Sequence, residues 1–243
     1  MHLNNSFAVG HFTVTVVGCG GTGGFVAESL ARLLPPRVDL VLIDHDRVEE
    51  RNLLRQNFTR AEVGQFKSEA LARRLSTAFD RPIGYSTLPI GAVTLPHWGL
   101  VIGCVDNGLA RRDIARQIAD ASRHVWWVDS GNGENYGQVI IGNSEGQVRY
   151  TNDSIRALPL PIIQRPELLA QAPPDRSCAD VSAEQGPTIN IIMAAIVTEV
   201  VRRLIDGTCS WVQVYVDMER GIVSPVLATE RTLQLLRKKG GVP

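Results

Sequence analysis

Thr13-Val14-Thr15-Val16-Val17-Gly18-Cys19-Gly20-Gly21-Thr22-Gly23-Gly24 is the stretch whose reading decides the fold. Its first five residues are β-branched and predict a buried strand. The glycines that follow predict a tight turn. Phe25 to Leu34 then place Phe25, Val26, Ser29, Leu30, Leu33 and Leu34 on one helical side, and Pro35-Pro36 stop the helix. Val38 to Ile43 reads as a second apolar strand, ending at Asp44. Strand, turn, helix and strand make a βαβ unit, whose parallel strands require the crossover helix.

Gly18, Gly20 and Gly23 fit G-x-G-x-x-G directly after a strand and before a helix. The first glycine permits the turn, the second lets backbone approach a phosphate, and the third lets helix and strand pack closely. The helix start adds free N–H groups and the positive end of a dipole. Asp44 stands at the end of the next strand, where a carboxylate accepts hydrogen bonds from ribose hydroxyls. This pattern fits NAD, FAD, S-adenosylmethionine or ATP, and does not choose among them.

The alternation continues outward. Lys67 to Phe79 predicts a helix, Tyr85 to Ile90 a strand, and Leu100 to Val105 a strand ending at Asp106. Leu109 to Ala121 predicts a helix, and Val125 to Val128 a strand ending at Asp129. Strands and helices in turn predict an α/β, Rossmann-like, doubly wound and mostly parallel sheet. Beyond it, Gln138 to Ile141 and Gln147 to Tyr150 predict an antiparallel hairpin around Gly142 to Gly146. Residues 150–188 hold Pro159, Pro161, Pro166, Pro173, Pro174 and Pro187 and predict a long irregular crossover loop. Thr188 to Ile205 is apolar nearly all round and predicts a buried helix. Trp211 to Val216 and Ile222 to Val226 predict closing antiparallel strands, and Leu233 to Pro243 a frayed basic tail. Residues 1–243 read as one domain, a length that suits one large α/β core.

Composition removes several function classes. Lys+Arg and Asp+Glu are both 25, so the formal net charge is zero. A nucleic-acid partner would leave a basic surplus or stripe, and none is visible. The longest apolar run, Ile191 to Val197, is too short to span a bilayer. Residues 1–10 lack the basic and apolar regions of a secretory signal. Cys19, Cys104, Cys178 and Cys209 form no CxxC pair, which argues against a disulfide framework and a local zinc site. A reducing cytoplasm is the expected setting. No Ser-His-Asp arrangement is legible among the residues around the five histidines.

The residues after Asp44 sharpen the reading. They run Asp44-His45-Asp46-Arg47-Val48, then Asn52-Leu53-Leu54-Arg55-Gln56, then Val63-Gly64-Gln65-Phe66-Lys67. Later comes Cys104-Val105-Asp106-Asn107, with Arg111 four positions on. Arg55 and Lys67 suit the β- and γ-phosphates of ATP, as a planar fork and a compact point charge. Asp106, at a strand's C-terminal edge, suits Mg²⁺, which takes one or two carboxylates plus phosphate oxygens.

In order and spacing these motifs closely resemble those of the ThiF/MoeB family, relatives of ubiquitin-activating enzymes. The resemblance runs from about Val14 to Val216. The neutral composition and the long irregular segment are similar to those of the ThiF-like member of bacterial PRTRC systems. The resemblance implies adenylation of a carboxyl group, such as the C-terminus of a small ubiquitin-like or sulfur-carrier protein, in a homodimer. It places Asp44 on ribose and Asn52, Arg55 and Lys67 on the triphosphate, with Gly18, Gly20, Gly21, Gly23, Asp46, Gln56 and Asn107 around them. It assigns Asp106 to Mg²⁺.

It also puts Cys178 in the position of a loop cysteine that bonds the activated partner. Arg176 nearby would favour the thiolate. An unreactive loop cysteine is the equal alternative. Two departures stand out: no arginine precedes the first strand, and the family's paired zinc-binding CxxC motifs are absent, so no zinc is expected. Two rival readings remain. One is a non-catalytic scaffold that binds nucleotide and a ubiquitin-like partner. The other is an NAD-dependent oxidoreductase, for which no hydride-transfer acid or base stands out.

Overall fold

Phe12–Val17 forms strand β1, and five of its six side chains are buried. Its neighbours fix why. In this computed structural model, which describes residues 12–119, 123–147, 157–170 and 186–239, β1 lies inside an eight-stranded sheet. The other strands are β2 (Val38–Ile43), β3 (Ile83–Ser86), β4 (Trp98–Gly103), β5 (His124–Asn132), β6 (Tyr136–Asn143), β7 (Trp211–Asp217) and β8 (Ile222–Leu227). Their spatial order is β3-β2-β1-β4-β5-β6-β7-β8. The first five are parallel, and β6, β7 and β8 run antiparallel.

Helices cover both faces, as a parallel sheet requires. They are α1 (Gly21–Leu33), α2 (Lys67–Phe79), α3 (Gly108–Ile118), α4 (Pro161–Gln164), α5 (Pro187–Ile205) and α6 (Glu230–Lys239). On one face Val14, Val16, Leu40, Ile102 and Val139 of the strands meet Leu30, Leu71 and Val197 of the helices. On the other, Val17, Val101 and Trp127 meet Ile114 and Ile118 of α3. The period-two alternation of strand side chains divides the core in this way.

The doubly wound sheet is as expected, and four local expectations are corrected. The hairpin is β5–β6, turning at residues 133–135, not the one expected around Gly142 to Gly146. Residues 144–147 form a 3-10 turn instead, held by the Ser144 hydroxyl, which donates to Arg123 O and accepts from Val125 N–H. Residues 148–150 lie outside the described residues. The strand expected over Tyr85 to Ile90 is Ile83–Ser86, followed by a 3-10 turn at Ile90–Ala92. Part of the expected irregular segment is folded: α4 and the 3-10 turn Pro166–Leu169 bury Leu160 and Leu168. Both start at prolines, whose fixed φ suits a first helical position. The expected frayed tail is α6 as far as Lys239, because Leu233 and Leu236 seat it on the core. Among the described residues no helix is long and apolar enough to cross a membrane.

Candidate nucleotide site

The carboxyl ends of β1, β2, β4 and β5 open onto one cavity of about 1160 Å³. In open α/β sheets this edge is where ligands bind. The glycines there differ in what surrounds them. Gly18 has φ +88°, and a Cβ on it would lie 2.6 Å from the Cys104 carbonyl oxygen. A Cβ on Gly23 would collide with the Gly18 carbonyl oxygen, so this glycine joins helix to strand. A Cβ on Gly20 would meet only Gln56 Nε2, at 3.7 Å, so this glycine leaves open space on the cavity. Helix α1 has no side-chain cap, and its first residues, Gly21 and Thr22, line the cavity. Gly21 is different: a Cβ on it would stand 2.6 Å from Cγ of Asn190.

Asp44 is buried at the end of β2. Its carboxylate accepts the Cys19 N–H at 2.6 Å and the Asp46 N–H at 2.8 Å. It thereby ties the glycine turn to the next loop. Burial raises its pKa, against lowering by Lys67 and by the two N–H groups. Ser68 locks the same edge, its hydroxyl lying 2.8 Å from Asp44 O and 2.9 Å from Ser86 O. Nothing in the sequence motifs singles out Ser68.

Lys67 begins α2 and is nearly buried. Its ammonium pairs with Asp46 at 3.0 Å, and its N–H donates to Asp46 O at 2.8 Å. Asp46 therefore orients the cation, and a carboxylate half in water is a weak competitor for it. Asn52 is buried, and its carboxamide oxygen accepts the Glu49 N–H at 3.0 Å, so it shapes the loop that carries Arg55. Arg55 is half-buried on the cavity wall. Burial and then Arg51 lower its pKa, opposed by Asp106. Gln56 is buried beside Gly20, and its Oε1 has no hydrogen-bond partner among the described residues. Asp106 and Asn107 stand exposed between β4 and α3. Asn107 caps α3 by accepting the Ala110 N–H at 2.8 Å, and its amide donates to Asp106 Oδ1 at 3.2 Å. The cap thus falls to Asn107, and Asp106 is spared that role.

Arg111 and Asp129 form a buried pair under this floor. Arg111 Nε reaches the two Asp129 carboxylate oxygens at 3.2 and 3.0 Å. In the sequence Arg111 is legible only as part of a motif, and Asp129 only as a strand end. Burial raises the Asp129 pKa to about 6, against lowering by Arg111. In the unfolded chain an aspartate titrates near 4. The folded state therefore holds more protons between about pH 4 and about pH 6, and stability falls as pH rises through that window. We expect the wild-type urea midpoint, relative to Asp129→Asn, to fall across it. A constant difference would show that Arg111 keeps Asp129 ionised throughout.

Burial pushes the Cys19 and Cys104 thiols up, aided by Asp44 at Cys19 and Asp129 at Cys104, which disfavours the reactive thiolate at both. Cys178 lies outside the described residues. The cavity also extends past Gly20, Asp44 and Lys67 to Tyr136, Gln138, Arg165 and Tyr215. Arg165 donates to the Tyr215 hydroxyl at 2.6 Å, which donates to Gln213 at 3.0 Å.

Known proteins are similar in sequence or in fold. Ubiquitin-like modifier-activating enzyme 5 of Drosophila willistoni is 34% identical over 140 residues, covering 51% of this chain and 34% of that protein. Its namesake in Bombyx mori is 32% identical over 149 residues, covering 55% and 37%. The alignments span little more than a third of the length of these relatives. Among solved structures, PaaA superposes with TM-score 0.62 at 21% identity, covering 90% of this chain and 73% of that one. Escherichia coli MccB, solved with ATP, superposes with TM-score 0.62 at 18% identity, covering 89% and 64%. Residues 7–217 match the ThiF family, and the chain belongs to it.

Proposed function

We propose that this chain binds ATP and adenylates a carboxyl group, that of the C-terminus of a small ubiquitin-like or sulfur-carrier protein or peptide, releasing pyrophosphate. The observation that carries this reading is the gathering of Gly20, Asp44, Arg55, Lys67 and Asp106 on one cavity at the sheet's carboxyl edge. The names of the relatives support it: one group activates ubiquitin-like modifiers, and MccB has been solved with ATP and with MccA.

The reaction needs little covalent help from the protein. A carboxylate oxygen attacks the α-phosphorus, an acyl–phosphate bond forms, and the bond to pyrophosphate breaks. The nucleophile is already ionised at neutral pH, so no general base is required. The difficulty lies in aligning two anions and stabilising the leaving charge, which calls for positioning and fixed cations. In this reading Gly20 leaves room for the phosphates, Asp44 accepts from ribose, and Arg55 and Lys67 hold the β- and γ-phosphates.

Asp106 fits a magnesium ion by its donor chemistry: it is an exposed hard oxygen donor, free of the capping role, on the same cavity. Asp44, His45 and Asp46 also lie close together, but Asp44 is nearly buried and Asp46 pairs with Lys67. When bound, Mg²⁺ would neutralise phosphate charge. No zinc enters this reading. The partner's tail would lie in the further part of the cavity, along Gln138, Arg165 and Tyr215. Cys178 would then take the acyl group as a thioester, with AMP leaving. A homodimer and a cytoplasmic setting complete the proposal.

The test is exchange of labelled pyrophosphate into ATP, with Mg²⁺ and candidate acceptor proteins or peptides. Exchange is expected with a free C-terminal carboxylate and not with its amidated form. Tight ATP binding without exchange across all acceptors would favour a non-catalytic scaffold. Hydride transfer with NADH would sink the proposal.

A further inference from the structure

Asn190 lies in the first turns of α5, with no exposed surface. It is an amide buried in an otherwise apolar helix face, beside Ile189, Met193 and Val197. A buried amide of this kind is costly unless its hydrogen bonds are met. Here they are met by three separate elements. Its Nδ2 donates to the Arg55 carbonyl oxygen at 3.1 Å. Its Oδ1 accepts from Asn132 Nδ2, at the end of β5, at 3.1 Å. The Thr22 hydroxyl, in the first turn of α1, approaches the same Oδ1 at 3.5 Å and donates to Asn132 Oδ1 at 3.0 Å. The carboxamide also lies against Gly21, where a Cβ would stand 2.6 Å from its Cγ.

The network joins the start of α1, the end of β5 and the main chain of Arg55. All three border the cavity, which Gly21, Asn132 and Arg55 line. We infer that Asn190 is a positioning residue for the nucleotide site: it clamps the Arg55 main chain to the first turn of α1 and so sets where the Arg55 guanidinium meets the phosphates. The inference rests on the ATP reading above. It also gives Gly21 a new reason: that glycine makes room for the Asn190 amide rather than for a phosphate.

The test is equilibrium binding of ATP and of AMP, measured by calorimetry on the full chain. AMP has no β- or γ-phosphate and so does not depend on Arg55. Asn190→Ala is expected to weaken ATP about tenfold while AMP changes by less than about twofold, the loss of roughly one hydrogen bond's worth of positioning. Arg55→Ala should show the same split, and Asn190→Ala should add little on top of it. Gly21→Ala alone should weaken ATP, and should do less harm in the Asn190→Ala background. If Asn190→Ala does not fold, Asn132→Ala removes one arm of the network at a half-buried position and should give a smaller split of the same sign. Equal loss of ATP and AMP, or loss of neither, would overturn the inference. So would an equal cost of Gly21→Ala in both backgrounds. A wild-type chain that binds neither nucleotide would overturn the ATP reading itself, a result distinct from these.

Discussion

Asp106→Ala is expected to lower ATP–pyrophosphate exchange by on the order of 10²–10³-fold, the usual loss when one fixed electrostatic group is removed from such a site. The fold should survive. The Asp106 side chain is exposed, and α3 is capped by Asn107, so the urea midpoint should move by no more than about 0.5 kcal/mol equivalent. The half-saturating Mg²⁺ concentration should rise with the loss of rate. Asn107→Ala makes the contrast: it removes the cap, with an expected cost of about 1 kcal/mol in stability, and leaves the carboxylate in place. Full exchange activity in Asp106→Ala would falsify the metal-binding role.

The second large effect is on stability. Arg111→Leu leaves the Asp129 carboxyl buried without its cation. Breaking a buried pair from one side costs about 3–5 kcal/mol. The midpoint of urea unfolding should show that loss at pH 7, where Asp129 is otherwise ionised. Acidifying from pH 7 should return part of it, because a protonated carboxyl no longer needs a cation, and without the lowering by Arg111 that protonation comes above the wild-type value of about 6. Adding Asp129→Asn to Arg111→Leu should also return part of it at neutral pH. A loss below about 1 kcal/mol in the single variant would mean that Arg111 does not compensate Asp129.

Much of this is legible in the chain itself. Thr13 to Gly24 is locally consistent: β-branched residues, glycines at fixed spacing and an amphipathic helix all ask for the same structure. The bounds of Val38–Ile43 and Lys67–Phe79 are the same in sequence and in structure. Gly20, Asp44, Arg55, Lys67 and Asp106 stand out in the sequence and border one cavity.

The rest depends on distant partners. Gly142 to Gly146 looks like a hairpin turn, whereas Gly142 lies in β6, pressed against the main chain of Pro159 and Leu160. The last helix reads as a frayed tail because Lys238 and Lys239 mask the pair Leu233 and Leu236, which packs on the core. Asn52 and Asp46 read as ligand contacts, and the structure ties them first to Glu49 and Lys67. Arg111 with Asp129, and Asn190 with Thr22 and Asn132, are long-range pairings that no periodicity announces.

The order of the strands has a consequence for how the site comes into being. Two pairings join stretches far apart along the chain: Val14 with Leu100, and Val139 with Val214. Closing such long loops costs entropy before any contact repays it, and distant contacts slow folding. The β5–β6 and β7–β8 hairpins close short loops and can form early. The glycine turn after β1 and the Asp106 loop after β4 meet only when β1 and β4 pair. The cavity floor between the glycine turn and the Asp106 loop therefore depends on one of the long-range registrations of the sheet. In the ATP reading proposed above, nucleotide would bind the chain only after that step.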